Sequence, residues 1–139
     1  MKIAFILSHG ALAPSNGVRS QALTWKEGLE NLGHEVILID MWQKNDWASF
    51  DAIHFFGFNI FLCDFIVGLF KINANIVVSP ILDPNYSINR LKLYARWGYR
   101  KLNLTNQYHG LYRVKNKIKL FLVRSEFEKK YMIKGFGIK

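Results

Sequence analysis

Residues 2–25, KIAFILSHGALAPSNGVRSQALTW, decide the fold class. After Lys2 comes an unbroken apolar run, residues 3–7, which is typical of a strand buried on both faces of a sheet. Beyond a loop at residues 9–17, apolar residues recur at alternating spacings of four and three, which predicts one face of an α-helix. These residues are Val18, Ala22, Trp25, Leu29 and Leu32. A buried strand that leads into an amphipathic helix is the first half of a parallel β–α–β unit.

The same alternation continues to the end of the chain. Further strands are predicted at residues 34–40, 51–56, 75–80 and 118–125. Further helices are predicted at residues 60–70, from residue 88 in two pieces broken near residues 103–106, and at 125–137. Gly33 is expected to end the first helix, and Ser125 with Glu128 matches a capping box that opens the last one. The pattern predicts a Rossmann-like, doubly wound parallel sheet in a three-layer α/β/α arrangement, covered on both faces, as a single domain over residues 1–139.

Composition narrows the class of protein. Half of the 139 residues are hydrophobic, which favours one folded domain over a disordered chain. The single cysteine, Cys63, has no partner for an internal disulfide and lies in an apolar run, which predicts a buried thiol and fits a reducing cytoplasm. No signal peptide is recognised at the N-terminus. Residues 53–70 approach the length of a membrane span, but Asp64 near the middle favours a buried strand and helix instead.

The formal net charge is +9, and the excess comes from one stretch. Residues 84–125 contain no acidic side chain, whereas the rest of the chain is nearly balanced. The cations of this stretch are Arg90, Lys92, Arg96, Arg100, Lys101, Arg113, Lys115, Lys117, Lys119 and Arg124. Tyrosines and Trp97 are interleaved among them between residues 88 and 119. Three interpretations of this segment are open. It could contact an anionic membrane surface or acceptor, it could bind a nucleic acid, or it could be the solvated face of helices whose other face is apolar and packs in the core.

The first loop is neither of the best-known phosphate motifs. It has no G-x-G-x-x-G and no Gly-Lys-Ser/Thr, so a dinucleotide site and a P-loop are both disfavoured. Asn16 or Ser15 can cap the following helix, and Gly17 would let a ligand approach the backbone. Arg19 in the first turn can donate to an anion held at the helix N-terminus. A plain capped helix with a surface arginine is the alternative.

Three segments together resemble one known family. The loop NGVRSQ (16–21), the helix and strand LTWKEGLENLGHEVILI (23–39) and the segment FLVRSEFEKKYMIKGFGIK (121–139) look like the N-terminal half of a group-one glycosyltransferase of GT-B fold. The likeness extends from one end of the chain to the other. In such enzymes two Rossmann-like domains face each other across a cleft. The N-terminal domain binds mainly the acceptor, and the C-terminal domain holds most of the nucleotide-sugar donor.

The resemblance implies roles for particular residues. Asn16, Gly17 and Arg19 would face the donor diphosphate, although Asn16 stands where the family usually has a first glycine. Many members also have a histidine after the fourth strand, and this chain reads SPILDP there, at residues 79–84. Asp83 and His9 are therefore the catalytic candidates, with an ordinary Asp-Pro-Asn turn as the alternative for Asp83. Acceptor or membrane contact is assigned to Arg90, Arg96, Trp97, Arg100 and Lys101. No metal site is expected, because no ligand spacing is present.

Two functions follow as hypotheses. The first is the acceptor-side half of a bacterial glycosyltransferase, cytoplasmic and peripheral at the inner membrane face. It would act in polysaccharide or lipopolysaccharide synthesis on a glycan or lipid-linked acceptor. The nucleotide-sugar is its donor substrate and no other cofactor is implied; the C-terminal domain would lie outside this chain, which alone would transfer no sugar. The second is a non-catalytic Rossmann-like module that binds an anionic partner, a membrane surface or nucleic acid, through residues 88–119.

Overall fold

The computed structural model describes residues 1–8, 11, 16–82, 85–102 and 106–138, and of residues 97–102 only the helical backbone. Strands and helices alternate along it. The strands are β1 (Lys2–Leu7), β2 (Glu35–Leu38), β3 (Ala52–Phe56), β4 (Ile76–Ser79) and β5 (Leu120–Phe121). The α-helices are α1 (Gly17–Asn31), α2 (Ile60–Leu69), α3 (Ile88–Leu102), α4 (Gln107–Val114) and α5 (Glu126–Tyr131). Short 3₁₀ helices span Trp47–Ser49 and Lys115–Lys117, and a π-helical turn spans Met132–Phe136.

All five strands belong to one parallel sheet in the order β2-β1-β3-β4-β5. Ile3 pairs with Val36 on one side and with Ala52 on the other, so β1 lies inside the sheet, as its apolar run predicted. The chain moves outward from β1 to β2, then returns to β3 on the other side of β1. The order of strands therefore reverses between β1 and β3. This confirms the predicted Rossmann-like α/β class.

Helix α1 begins and ends at the predicted signals. The Asn16 side chain caps it by accepting hydrogen bonds from the N–H groups of Val18 (2.8 Å) and Arg19 (3.3 Å). At the other end Gly33 has a φ of +82°, a left-handed conformation that favours glycine, and its N–H donates to the Glu30 carbonyl. Within the helix bounded by these caps, Ala22 is buried against the sheet.

One face of the sheet carries most of the core. The alternate strand residues Ala4, Ile6, Ile53, Phe55, Ile76 and Val78 are buried there against α2, α3, α4 and the π-helical turn. Leu91 of α3 and Leu111 of α4 are fully buried, as the apolar side of the basic helices predicted. Cys63 is also buried in this layer, which confirms the predicted structural thiol.

The opposite face of the sheet is also covered by a helix, as predicted, but less completely than the first. Among the described residues, α1 supplies the helical side chains that pack there, on Ile3, Phe5, Val36 and Phe56. Beyond α1, a cavity of about 500 Å³ opens over the sheet, with Trp25, Leu29, Val77, Leu120 and Leu122 in its lining. Leu32 was predicted to lie on the buried face of α1. That prediction is wrong: Leu32 follows the last helical residue and is 74% exposed.

Two further differences concern the last strand and helix. Of the strand predicted at residues 118–125, only Leu120–Phe121 is a strand paired with β4, and the flanking N–H groups of Lys119 and Leu122 donate to the carbonyls of Ile76 and Val78. The final helix is α-helical to Tyr131, continues as a π-helical turn and ends at Gly137, where φ is +67°. Residues 53–70 form β3 and α2 as expected, and no helix in the described part of the chain is both long and apolar enough to cross a membrane.

Candidate functional site

The carboxyl edge of the sheet between β1 and β3 is the position where open α/β sheets bind ligands, because the chain leaves the two neighbouring strands in opposite directions. Ser8 follows β1 and Gly57 follows β3, and a Cβ added to Gly57 would lie 3.9 Å from the Ser8 Oγ. The Gly57 N–H donates to the Ser79 carbonyl at 2.8 Å, which joins the loop after β3 to the end of β4. The residues after β1, β3 and β4 therefore meet at one edge.

The N-terminus of α1 lies on the loop that leaves β1 at this edge. Gly17 is the first helical residue, is exposed, and would have no atom within 4 Å of an added Cβ. Arg19, in the first turn, is exposed, and no acidic residue occupies that turn. Two of the three predicted phosphate-facing residues thus present solvent-facing groups at the helix start. Asn16, the third, uses its side-chain oxygen for the cap.

The loop after β4 is held in a strained form. Ile81 has a φ of +49°, which is unusual for a β-branched residue and costs roughly 1–3 kcal/mol. The next residue, Leu82, donates its N–H to the carboxylate of Glu128, which is buried in α5. The same carboxylate accepts the N–H of Arg124 at 2.7 Å. Glu128 therefore fixes the conformation of the segment that leads to Asp83.

Glu128 also corrects the predicted capping box. Ser125 does cap α5, with its Oγ accepting the Glu128 N–H at 3.1 Å. The return bond from the Glu128 side chain to the Ser125 N–H is not made, because that side chain turns inward to Leu82 and Arg124. Sequence reasoning missed this role, since Leu82 and Glu128 are 46 residues apart and nothing local signals their contact.

His54 is a second buried polar group near this edge. It lies in the centre of β3, is 4% exposed, and its Nε2 is 2.9 Å from the Ser79 Oγ. Its ring packs among Phe5, Trp25 and Phe56, with the Phe56 centroid at 4.2 Å. Burial lowers the pKa of His54 to about 4, so the imidazole is neutral at physiological pH. The neutral ring contacts Ser79 at the end of β4 and also contributes to the lining of the cavity beside α1.

Not all of the predicted site residues can be placed. The two catalytic candidates, His9 and Asp83, lie outside the described residues, as do the side chains of Trp97, Arg100 and Lys101. Arg90 and Arg96 are described, and both are exposed on α3. The Arg90 guanidinium lies over the rings of Tyr86 and Tyr94, and that of Arg96 lies over Tyr112.

A group of tyrosines is the main feature of this region that the site prediction left out. We call Tyr86, Tyr94 and Tyr108 the tyrosine cluster; its ring centroids are 5.4 to 6.5 Å apart. Tyr108 also packs on Phe58, which lies two residues beyond β3. The cluster therefore borders the same loops as the switch point. The sequence does show the aromatic residues, but not that helices α3 and α4 bring them together.

Two cavities lie elsewhere on the molecule. One is the cavity over the sheet beside α1, and the other, of about 650 Å³, lies along the free edge of β5. Lys115, Lys119 and Lys129 line the second, with Phe121 and Met132. We assign the site to the switch point on topology and backbone geometry, since neither cavity touches the residues that end β1 and β3.

The described residues offer neither a metal centre nor a reactive thiol. Nowhere in residues 16–82, 85–102 or 106–138 do three His, Cys, Asp or Glu side chains come together as a metal site would require. Burial, with a further contribution from Asp64, raises the pKa of the Cys63 thiol to about 12 despite the nearby Arg113. A thiol in that state is a poor nucleophile.

Comparison with known proteins adds no identification: no family profile, curated protein or solved structure matches the chain significantly. The class of protein is accordingly the one that the structure defines, a Rossmann-like α/β domain with its switch point between β1 and β3.

Proposed function

We propose that this chain is the acceptor-side domain of a glycosyltransferase, which transfers a sugar from a nucleotide-sugar to a cell-surface glycan or lipid-linked acceptor. The observation that carries the proposal is the open backbone at Gly17, at the start of α1, the helix that follows β1. The positive end of the helix dipole favours an anion there, and the diphosphate of the donor is such an anion.

The mechanism proposed for the complete enzyme is one of positioning and electrostatic support. The start of α1 would stabilise the charge that develops on the leaving diphosphate, while the loops after β3 and β4 would hold the acceptor. The strained Ile81 and the Glu128 contact fix the second of these loops before substrate binds. Most donor contacts would come from a second domain, as the resemblance implies. We also propose that the enzyme works in the cytoplasm at the inner membrane face.

The test is titration of UDP and of GDP into the 139-residue chain and its Gly17→Val variant. Because the added branches would fill the open space through which a ligand approaches the helix start, we expect the variant to bind the preferred nucleotide at least about tenfold more weakly. Gly28→Val is the matched control, since Gly28 also lies in α1 and also has open space around an added Cβ. Equal affinities of the two variants would show that α1 does not hold the diphosphate.

A second candidate function rests on the basic segment. Arg90, Arg96, Lys115 and Lys117 each lie over an aromatic ring, and none pairs with a carboxylate of the described residues. Cations beside rings suit an anionic membrane surface. The chain would then co-sediment with vesicles containing phosphatidylserine and be released by salt. Equal binding to neutral phosphatidylcholine vesicles would exclude this electrostatic mode.

A further inference from the structure

We infer that the tyrosine cluster and Arg90 form a binding site for an acidic saccharide, a sugar ring that carries a carboxylate or a phosphate. The inference names the class of acceptor for the proposed function and rests on it for that role. The binding itself depends on the geometry of four side chains, which can be tested separately.

The cluster presents rings in two orientations. Tyr94 and Tyr108 are nearly parallel, at 15°, with centroids 6.5 Å apart. Tyr86 stands almost perpendicular to both, at 76° and 83°. A planar base needs a flat surface to stack on, and this arrangement forms a corner instead. A sugar fits a corner better, because it has an apolar C–H face for a ring and hydroxyl groups around its rim.

The polar groups needed for a sugar are also present. All three rings are half-buried, and the hydroxyls of Tyr86 and Tyr108 make no hydrogen bond with any described residue. Each can both donate and accept, as sugar hydroxyls do. The Tyr94 hydroxyl accepts from the Arg90 Nε at 3.0 Å, which orients the guanidinium.

Arg90 determines that the ligand is acidic. Its guanidinium carbon is 4.9 Å from the Tyr86 centroid and 5.6 Å from that of Tyr94, and it forms no ion pair with a described carboxylate. With Nε directed at Tyr94, the terminal nitrogens remain to donate to a carboxylate or phosphate. Residues 84–125 have no acidic side chain that would repel such an anion.

The cluster is anchored, so little order has to be gained on binding. The Tyr86 carbonyl accepts from the Tyr131 hydroxyl at 2.9 Å, and the Tyr94 carbonyl accepts from the Asn106 side chain at 3.2 Å. Tyr108 packs on Phe58 and Phe136. Side chains held in this way lose less conformational entropy when a ligand binds.

The experiment titrates trigalacturonate into the ¹⁵N-labelled chain, with its methyl ester as the uncharged match. Glucose 1-phosphate and inorganic phosphate are titrated in the same way, to compare a phosphorylated sugar with phosphate alone. We expect trigalacturonate or glucose 1-phosphate to bind with shifts of the amides of residues 86–94, and the ester to bind at least about tenfold more weakly. Arg90→Gln should weaken the binding of the acidic ligand about tenfold. Lys130→Gln, which removes an exposed cation from α5, should not.

The inference is overturned by no binding of either acidic sugar, by equal binding of the ester, or by an Arg90→Gln variant that binds as the parent does. Inorganic phosphate that binds as tightly as glucose 1-phosphate overturns it as well, because the rings would then contribute nothing. These outcomes leave the nucleotide titration of Gly17→Val untouched. Failure of that titration would in turn remove the donor role and leave saccharide binding measurable.

Discussion

At the scale of single residues, the buried polar groups carry most of the information about the site. Glu128 fixes the Leu82 backbone, and His54 meets Ser79 at the end of β4. Removing a buried carboxylate that accepts two backbone N–H groups leaves both unpaired, which costs several times more than the loss of a surface bond. Neither role could be predicted from the sequence, because each contact joins residues more than 20 positions apart.

His54 makes stability depend on pH in a defined direction. Its folded-state pKa, about 4, lies below the ordinary value of 6.5, so protonation favours the unfolded chain. The contribution of neutral His54 is complete above pH 6.5 and is lost as the pH falls towards 4. At pH 5 the resulting loss in the free energy of unfolding is about 2 kcal/mol.

Urea unfolding at pH 7.5 and pH 5 measures this loss. The His54→Gln variant should lose about 2 kcal/mol less than the parent between the two pH values, because it has no imidazole to protonate. His34→Gln is the control for removing a histidine from outside the sheet. Identical losses for the parent and His54→Gln would show that this buried ring does not set the acid sensitivity.

At the scale of elements, the close contact of α2 and α4 depends on a glycine. A Cβ added to Gly110 would lie 3.2 Å from the Sγ of Cys63 and 3.3 Å from its Cβ. Cys63 is 1% exposed, so α2 itself would have to move. The sequence marks Gly110 only as an unfavourable helix residue; the reason for it appears when the two helices are seen to pack.

Gly110→Ala should therefore destabilise the protein by about 1–2 kcal/mol, since overpacking outweighs the gain in helix propensity. Gly28→Ala, in an exposed part of α1 with open space, should stabilise it by up to about 1 kcal/mol. Thermal or urea unfolding of both variants measures these changes in the free energy of unfolding. A stabilising Gly110→Ala would mean that α2 and α4 are not in tight contact.

Elements with strong local signals were predictable. The run of apolar residues in β1, the Asn16 cap and Gly33 fixed β1 and α1, and the break near residues 103–106 separates α3 from α4 as expected. The exposure of Leu32 and the short length of β5 could not be predicted. Helical periodicity does not show at which residue a helix ends, and an apolar run does not show how many of its residues pair with the neighbouring strand. The tyrosine cluster likewise needs the packing of α3 on α4.

At the scale of the whole molecule, the two faces of the sheet differ. The face under α2, α3 and α4 forms a continuous core, whereas the face beside α1 leaves Leu120 49% exposed at the border of the 500 Å³ cavity. The apolar strands predicted that helices cover both faces of the sheet, and they do, but apolar strands do not show how many helices lie on each face. The strand order places the candidate site away from this uneven cover, at the carboxyl edge.

The proposed function requires that a nucleotide-sugar bind at the carboxyl edge of β1 and β3. The most direct test is to follow the amide signals of the ¹⁵N-labelled chain during titration with UDP-glucose and GDP-mannose. We expect shifts at Ser8 and at residues 57–59, which lie together where β1 and β3 end, and at residues 17–19 at the start of α1. Shifts confined to the cavity along β5 or to the cavity beside α1 would contradict it.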